Sequence, residues 1–268
     1  MGKILTNKEV ENYHKNGFFF PVRVMSPKNA NFYRRKLEEY EGSQGPLSGN
    51  DRHKTHLLFT WIDSLVRHPQ ILDAVEDIIG PNILCWSSNF FIKEAKDNTF
   101  VSWHQDSTYW GLDPNNVITA WIALSDASVS TGPMEVIPKS HIWKNQAHTQ
   151  TFNKSNLLSR GQELSMDLSK EETVIMPLKA GEISLHHIKL AHSSKPNNTD
   201  DRRIGLAVRY IKPDVKNKNT NDSALLVRGQ DKLNYYQLET PPVKDLDKQA
   251  ILNHKKYAEI HIKNLMRN

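Results

Sequence analysis

Apolar positions along this chain change period near residue 83, from helical spacing to short alternating runs. Thr6-Asn7-Lys8-Glu9 has the Thr-x-x-Glu form of a capping box and opens a helix that runs to about His14. Gly17 ends it, and Phe18-Phe19-Phe20-Pro21-Val22 reads as a first strand. Ser26-Pro27 starts a second helix, with proline at its first turn and Phe32, Tyr33, Leu37 and Tyr40 as its stripe. Residues 42–56 are polar, carry Gly42, Gly45 and Gly49, and predict a loop. A third helix is expected over 60–79, with Trp61, Leu65, Ile71, Leu72, Val75 and Ile78 inward, ended by Gly80-Pro81-Asn82.

Beyond residue 83 the runs 83–93, 99–105, 117–124, 134–137, 173–177, 182–187 and 204–211 are separated by turn residues. That spacing predicts an all-β sandwich or barrel. The tail, about 244–266, returns to a helical pattern through Ile251, Tyr257, Ile260 and Leu265. There is no internal repeat. The expectation is a mainly β core of about eight strands, flanked by helices from both ends, in a single domain spanning 1–268.

Composition narrows the class. With 38% hydrophobic and 24% charged residues, the chain reads as a soluble globular protein. No run approaches the ~18 apolar residues of a membrane span. The N-terminus lacks a signal-peptide core, and Gly2 with Thr6 alone is thin support for myristoylation. Cys85, the only cysteine, excludes disulfide scaffolds and cysteine-rich zinc sites, favours a cytoplasmic location and reads as a buried packing residue. A net charge of +5 with a pI near 9.1 is compatible with anionic partners. The basic residues are scattered apart from Lys216-Asn217-Lys218 and the tail, so a small-molecule anion is expected, with neither nucleic acid nor membrane as partner. Oligomeric state is not legible.

The chemistry sits in Trp103-His104-Gln105-Asp106 and in the distant His192. On a strand, residues i and i+2 share a face, so His104 and Asp106 reach one metal and Gln105 points elsewhere. Two imidazoles and one carboxylate leave open positions, as Fe(II) chemistry with O2 requires. Taken alone, His-x-Asp is common, and among twelve histidines a surface pair is the ordinary alternative. Context raises it. Trp103, Tyr109 and Trp110 flank the pair as an apolar wall. Pro196-Asn197 forms a turn after His192, and Arg203 opens the returning strand. A hairpin there brings Arg203 beside His192, where a guanidinium grips a carboxylate bidentately. His186 and His187 compete with His192 as the third ligand.

These residues resemble the phytanoyl-CoA dioxygenase family of Fe(II)/2-oxoglutarate oxygenases. The resemblance covers most of the chain: the N-terminal helix and Gly17-Phe18, Trp103-His104-Gln105-Asp106, the Gly132–His141 segment, and His192–Asn197 with Arg203. It implies a double-stranded β-helix (jelly-roll, cupin-like) core. It implies His104, Asp106 and His192 as iron ligands, Arg203 on the distal carboxylate of 2-oxoglutarate, and Ser194 and Trp110 lining the cosubstrate pocket. Fe(II), 2-oxoglutarate and O2 are the implied cofactors. Because Arg203 and Ser194 are placed relative to His192, His192 is preferred as ligand. Lys139 and Ser193 stand where the family usually has glycine, and Ser193 is expected to need a less permissive backbone.

A halogenating branch of the family carries a small residue in place of the aspartate, so Asp106 points to hydroxylation. The Trp103–Trp110 and Leu157–Gln162 segments are similar to hydroxylases of small aminophosphonates, which makes 2-aminoethylphosphonate or an N-methylated analogue a candidate substrate. Asn89 and Lys93, on one face of the strand 83–93, are candidate substrate residues together with Tyr109, His186 and Arg209, followed by His187 and Arg228. Residues 42–56 and 145–170 are the expected lids. The alternatives are a hydroxylase of another small metabolite or carrier-bound substrate, a non-enzymatic jelly-roll metal- or ligand-binding protein, and a nucleic-acid demethylase, which needs a basic groove with stacking aromatics.

Overall fold

In the computed structural model, residues 2–113, 116–144, 146–158, 160–218 and 222–266 are described, the side chain of Tyr109 excepted. The chain begins as its capping signals dictate. The Thr6 side chain accepts from the Glu9 N–H and the Glu9 carboxylate accepts from the Thr6 N–H, which starts α1 (Asn7–Asn16). β1 (Phe18–Arg23) and α2 (Pro27–Gln44) follow. The expected third helix is two helices, α3 (Thr60–Val66) and α4 (Pro69–Ile79). Pro69 has no N–H to donate and forces His68 out of helical geometry, so the chain breaks there and restarts. Residues 42–56 are also less loop-like than expected. α2 runs to Gln44, short 3-10 turns cover Gly49–Arg52 and Thr55–Leu57, and Lys54, Thr55 and His56 are buried.

The strands are β2 (Ile83–Lys93), β3 (Val101–His104), then after the single-turn α5 (Ser107–Trp110), β4 (Val117–Ala123), β5 (Met134–Val136), β6 (His148–Gln150), β7 (Gln162–Leu164), β8 (Val174–Met176), β9 (Glu182–His187), β10 (His192–Ser194), β11 (Arg203–Ile211), β12 (Ser223–Arg228) and β13 (Gln237–Leu238). α6 (Lys248–Leu265) closes the chain. Seven strands form one sheet in the order β1-β9-β4-β11-β2-β12-β13, and four form a second, β3-β10-β5-β8. β6 and β7 make a two-stranded ribbon, where the segment 145–170 was expected to be loop.

The pleat divides the large sheet into two chemistries. On β11, Ile204, Leu206, Val208 and Tyr210 join the core shared with α3 and α4, while Arg203, Ala207 and Arg209 face the opposite side. On β4, Ile118, Ala120 and Ile122 face the helices and Thr119 and Trp121 face away. All residues of both strands are buried, because helices cover one face and the smaller sheet the other. Each large aliphatic side chain sealed under α4 stabilises the fold by about 1.5–3 kcal/mol, enough collectively to carry charged residues on the other face. Cys85 is fully buried, as its apolar surroundings predict.

Candidate metal centre and cosubstrate pocket

His104 ends β3 and is paired across the smaller sheet with His192 on β10. Asp106 is not on the strand. It has helical backbone angles (φ −59°, ψ −37°) and stands at the start of α5. The two side chains converge because the strand ends between them and the chain turns. Strand alternation, the expected reason, does not apply. Gln105 does point elsewhere: its amide donates to the Lys189 carbonyl (2.7 Å), and its backbone N–H donates to His148 Nε2 (3.0 Å), which anchors the turn.

The ligand atoms of His104, Asp106 and His192 lie within 4.8 Å of one another, and all three residues are buried. His104 Nε2 is 3.4 Å from the Asp106 carboxylate, and the two imidazoles are 4.1 Å apart at their centroids. The tautomers suit a metal. His104 Nδ1–H donates to the Ser102 carbonyl and His192 Nδ1–H to the Leu190 carbonyl, each at 2.9 Å, so both Nε2 lone pairs are left for a cation. Burial lowers the His192 pKa to about 4, helped by His104 alongside it. Burial opposes ionisation of Asp106, but His104 and His192 outweigh it and hold the carboxyl well below the ordinary range. Two imidazoles presenting Nε2 and an ionised carboxylate are a donor set that fits Fe(II).

Arg203 reaches the same cavity from the other sheet. β10 and β11 belong to different sheets, so the expected hairpin is absent; facing sheets, not strand pairing, bring Arg203 towards His192. Its Nη1 donates to the Gly132 carbonyl (2.6 Å), and its guanidinium lies 5.2 Å from the Trp121 ring centroid. Two glycines make this possible. Gly132 has φ +66° and presses against the Lys195 carbonyl, where a Cβ would collide, and a Cβ on Gly205 would overlap the Trp121 ring. Lys93, opposite Arg203 in register, is fully buried and donates to Ser194 Oγ (2.7 Å) and to the Lys195 carbonyl. Burial, with Arg203 adding repulsion, lowers its pKa to about 6. Thr119 Oγ1, His186 Nδ1, Arg203 Nε and Arg209 Nε around the cavity are buried without a partner, an unmet demand that polar ligands would satisfy.

A model of the phytanoyl-CoA dioxygenase (PhyH) family matches residues 13–205. The chain belongs to the phytanoyl-CoA dioxygenase family of Fe(II)/2-oxoglutarate oxygenases. It is 32% identical over 163 residues to a probable α-ketoglutarate-dependent hypophosphite dioxygenase of Stutzerimonas stutzeri, a match covering 60% of this chain and 56% of that protein, little more than half its length. Among solved structures, the non-heme monooxygenase ThoJ in its apo form superposes with a TM-score of 0.86 at 33% identity, over 96% of each chain. CytC3 with Fe(II) and α-ketoglutarate shares the fold, with a TM-score of 0.68 at 21% identity over 92% of this chain and 97% of that one. The two facing sheets are thus the double-stranded β-helix of the phytanoyl-CoA dioxygenase fold.

The remaining expected residues sort by position in this member of the family. His186 lies in the inner cavity, its ring 4.9 Å from His192. His187 points away, its Nδ1 accepting from the Lys189 N–H and its ring beside His141. Arg228 is ion-paired with Asp73 and Glu76 on the far side of the sheet, a structural role. The Tyr109 side chain lies outside the described residues. Trp110 does not line the inner cavity; Trp121 takes that place, and Trp110 stacks on Trp86 instead. Lys93 bonds Ser194 and stands opposite Arg203, whereas Asn89 bonds Arg209. Ser193 pairs with Glu135 within β10, at a register shift against β3, and is not in the left-handed region, whereas Lys139 adopts φ +65°, the conformation that glycine accepts more easily.

An outer cavity of about 390 Å3 adjoins the metal centre, sharing Phe91, His104, Asp106 and Arg209 with the inner one. Its far wall comes from α6, beyond the family match, through His261, Ile262 and Leu265. Arg160, in the Leu157–Gln162 segment, donates to the Leu265 carbonyl (2.5 Å) and fastens the last turn of that helix. His53, Arg160 and His261 were absent from the sequence expectations. The signal for His261 was available: Ala250, His254, Tyr257, His261 and Asn264 recur at helical spacing as the buried face of α6, while Ile251 is exposed.

Proposed function

We propose that this chain, acting as one oxygenase domain in the cytoplasm, is an Fe(II)- and 2-oxoglutarate-dependent hydroxylase of a small polar or anionic metabolite. The observation that carries the reading is the convergence of His104, Asp106 and His192 in one buried cavity with Arg203, whose Nε has no acceptor. His104, Asp106 and His192 would hold the metal. Arg203, backed by Ser194 and Lys93, would hold the distal carboxylate of 2-oxoglutarate. With both bound, the site supplies oxidising power: O2 and 2-oxoglutarate are converted to succinate and CO2, and one oxygen atom is inserted into a substrate C–H bond.

The protein's own share is positioning and exclusion of water. Ser102 and Leu190 fix the imidazole tautomers, Gln105 fixes the turn, and Phe91, Trp121 and Met134 give the cavity apolar walls. Asp106 fills the position that must be small for a halide to bind, which supports hydroxylation over halogenation. No helix of the described residues is long and apolar enough to cross a membrane. The relationship to a hypophosphite dioxygenase supports a small anion as substrate, and 2-aminoethylphosphonate and its N-methylated analogue are the first compounds to try.

The test is anaerobic loading with Fe(II) and 2-oxoglutarate, admission of air, and measurement of succinate with and without each compound. The parent is expected to form succinate, faster with a true substrate. Asp106→Ala and Arg203→Ala are expected to lose at least ~100-fold, by removing a metal ligand and the cosubstrate anchor. Variants as fast as the parent would show that the site is misassigned. No stimulation by either phosphonate would remove that substrate class.

A further inference from the structure

Three arginines are buried among the described residues: Arg160, Arg203 and Arg209. Arg160 is committed to the end of α6. Arg203 faces the cosubstrate end of the inner cavity. Arg209 is left. It is 7% exposed and stands where the inner and outer cavities join. Its guanidinium is held between aromatic rings, 5.2 Å from the Trp110 centroid and 5.8 Å from that of Phe91. Nη1 donates to Asn89 Oδ1 and to the Ala207 carbonyl (3.3 Å), and Nε has no acceptor.

Other arginines of this chain are treated differently. Arg23, Arg34, Arg67, Arg202 and Arg228 each bond a carboxylate. Arg209 is given only neutral partners, and a buried cation without a counter-charge is costly. Asp106 acts on it electrostatically without bonding it, and a metal held by Asp106 would draw on that charge. The outer cavity has no other carboxylate among its lining residues, and the imidazoles of His53 and His261, which also line it, are kept neutral at pH 7 by burial. The Trp110 and Phe91 rings hold the guanidinium at the junction, where an anion entering the cavity would meet it.

We infer that Arg209 anchors the anionic group of the substrate, and that the substrate is an organic oxyanion, a carboxylate or phosphonate, whose body lies in the outer cavity under α6. This rests on the oxygenase reading and goes further, because it assigns the charge, the anchoring residue and the chamber. The cavity volume of about 390 Å3 leaves room for an apolar body against Leu158, Ile262 and Leu265, far larger than an inorganic oxyanion needs.

Anaerobic protein loaded with Fe(II) and 2-oxoglutarate is expected to show a visible absorption band, and perturbation of that band would report occupancy of the adjoining chamber without turnover. The probes are ethylphosphonate, 2-aminoethylphosphonate, 4-phenylbutyrate and its neutral twin 4-phenylbutanamide. The parent is expected to bind at least one anion and to discriminate against the amide. Arg209→Met is expected to keep the band and weaken anion binding by ~30-fold or more. Asn89→Asp, nearly isosteric, places a carboxylate on Nη1 and is expected to do the same by filling the charge from inside. Arg209→Lys is expected to retain part of the affinity. Preference for phosphonate over carboxylate, or the reverse, identifies which oxyanion is native. Binding of no anion by a parent that shows the band, equal binding of the amide, or unchanged affinity in both variants overturns the inference. Loss of the band in Arg209→Met, with the fold intact by circular dichroism, reassigns Arg209 to the cosubstrate and also overturns it. If the parent itself shows no band, the oxygenase reading fails first.

Discussion

Glu239 is the meeting point of three donors in the buried interior. Lys54 Nζ bonds its carboxylate at 2.6 Å, Ser223 Oγ at 2.7 Å and His56 Nε2 at 3.1 Å, and none of Lys54, His56 or Glu239 has an exposed side chain. Lys54 spends its other two donors on the Trp86 and Ser223 carbonyls. Burial alone would keep His56 neutral, but the Cys85 thiol and the Glu239 carboxylate beside it outweigh burial and raise its pKa to about 9. A folded-state pKa above the unfolded value of about 6.5 stabilises the protein fully below pH ~6.5, and that contribution is lost as pH rises through ~9. The urea midpoint is therefore expected to fall between pH 7 and 9.5, and Glu239→Gln to flatten that limb while costing about 3–5 kcal/mol overall. A midpoint unchanged across this range would mean that His56 is neutral in the fold. None of this was legible in sequence. Lys54 and His56 stand in a polar, glycine-bearing stretch, and only the partner brought by the C-terminal third makes their burial affordable.

At the scale of elements, what was readable depended on whether local chemistry agreed with tertiary packing. The capping box of α1, Pro27 in α2 and the strand runs 117–124 and 204–211 appear almost as read, because their caps and periods act locally. The helix over 60–79 failed at Pro69, a local signal that the apolar stripe on either side had masked. The tail helix was placed correctly, and its inward side carries His254, His261 and Asn264 beside Tyr257, polar residues that hydrophobic counting passes over. Its last turn depends on one donor from afar. Arg160→Ala is expected to release residues 260–265, seen as faster amide hydrogen exchange there, and to leave metal and 2-oxoglutarate binding within about twofold, since those groups meet other elements. Equal protection in the variant and the parent would show that α6 needs no such latch.

Across the whole molecule, the candidate metal ligands come from the smaller sheet and the turn after β3, while Arg203 and Lys93 come from the larger sheet. A cosubstrate gripping both would tie the two sheets together. Fe(II) and 2-oxoglutarate under anaerobic conditions are accordingly expected to raise Tm more together than the sum of their separate effects, by about 2.7 kcal/mol of stability for each ligand held at a hundredfold its Kd. Asp106→Ala is expected to erase both increments, and Arg203→Ala only that of 2-oxoglutarate. Strictly additive increments in the parent would place the two ligands in independent sites.

The sequence by itself determined the class of fold and the letters of the candidate metal centre. Both are written in short-range terms: periods of two and of 3.6, caps, and a His-x-Asp spacing joined to His192 and Arg203. Their arrangement was decided by tertiary structure. Asp106 reaches the metal position because a strand ends, and Arg203 because two sheets face each other. Lys93 turns to Ser194 and Arg203, while Arg209 keeps a buried charge with no carboxylate bonded to it. Each of these depends on which distant backbone packs opposite, and the pleat transmits that choice to every second side chain, so a residue's neighbours along the chain carry no record of it.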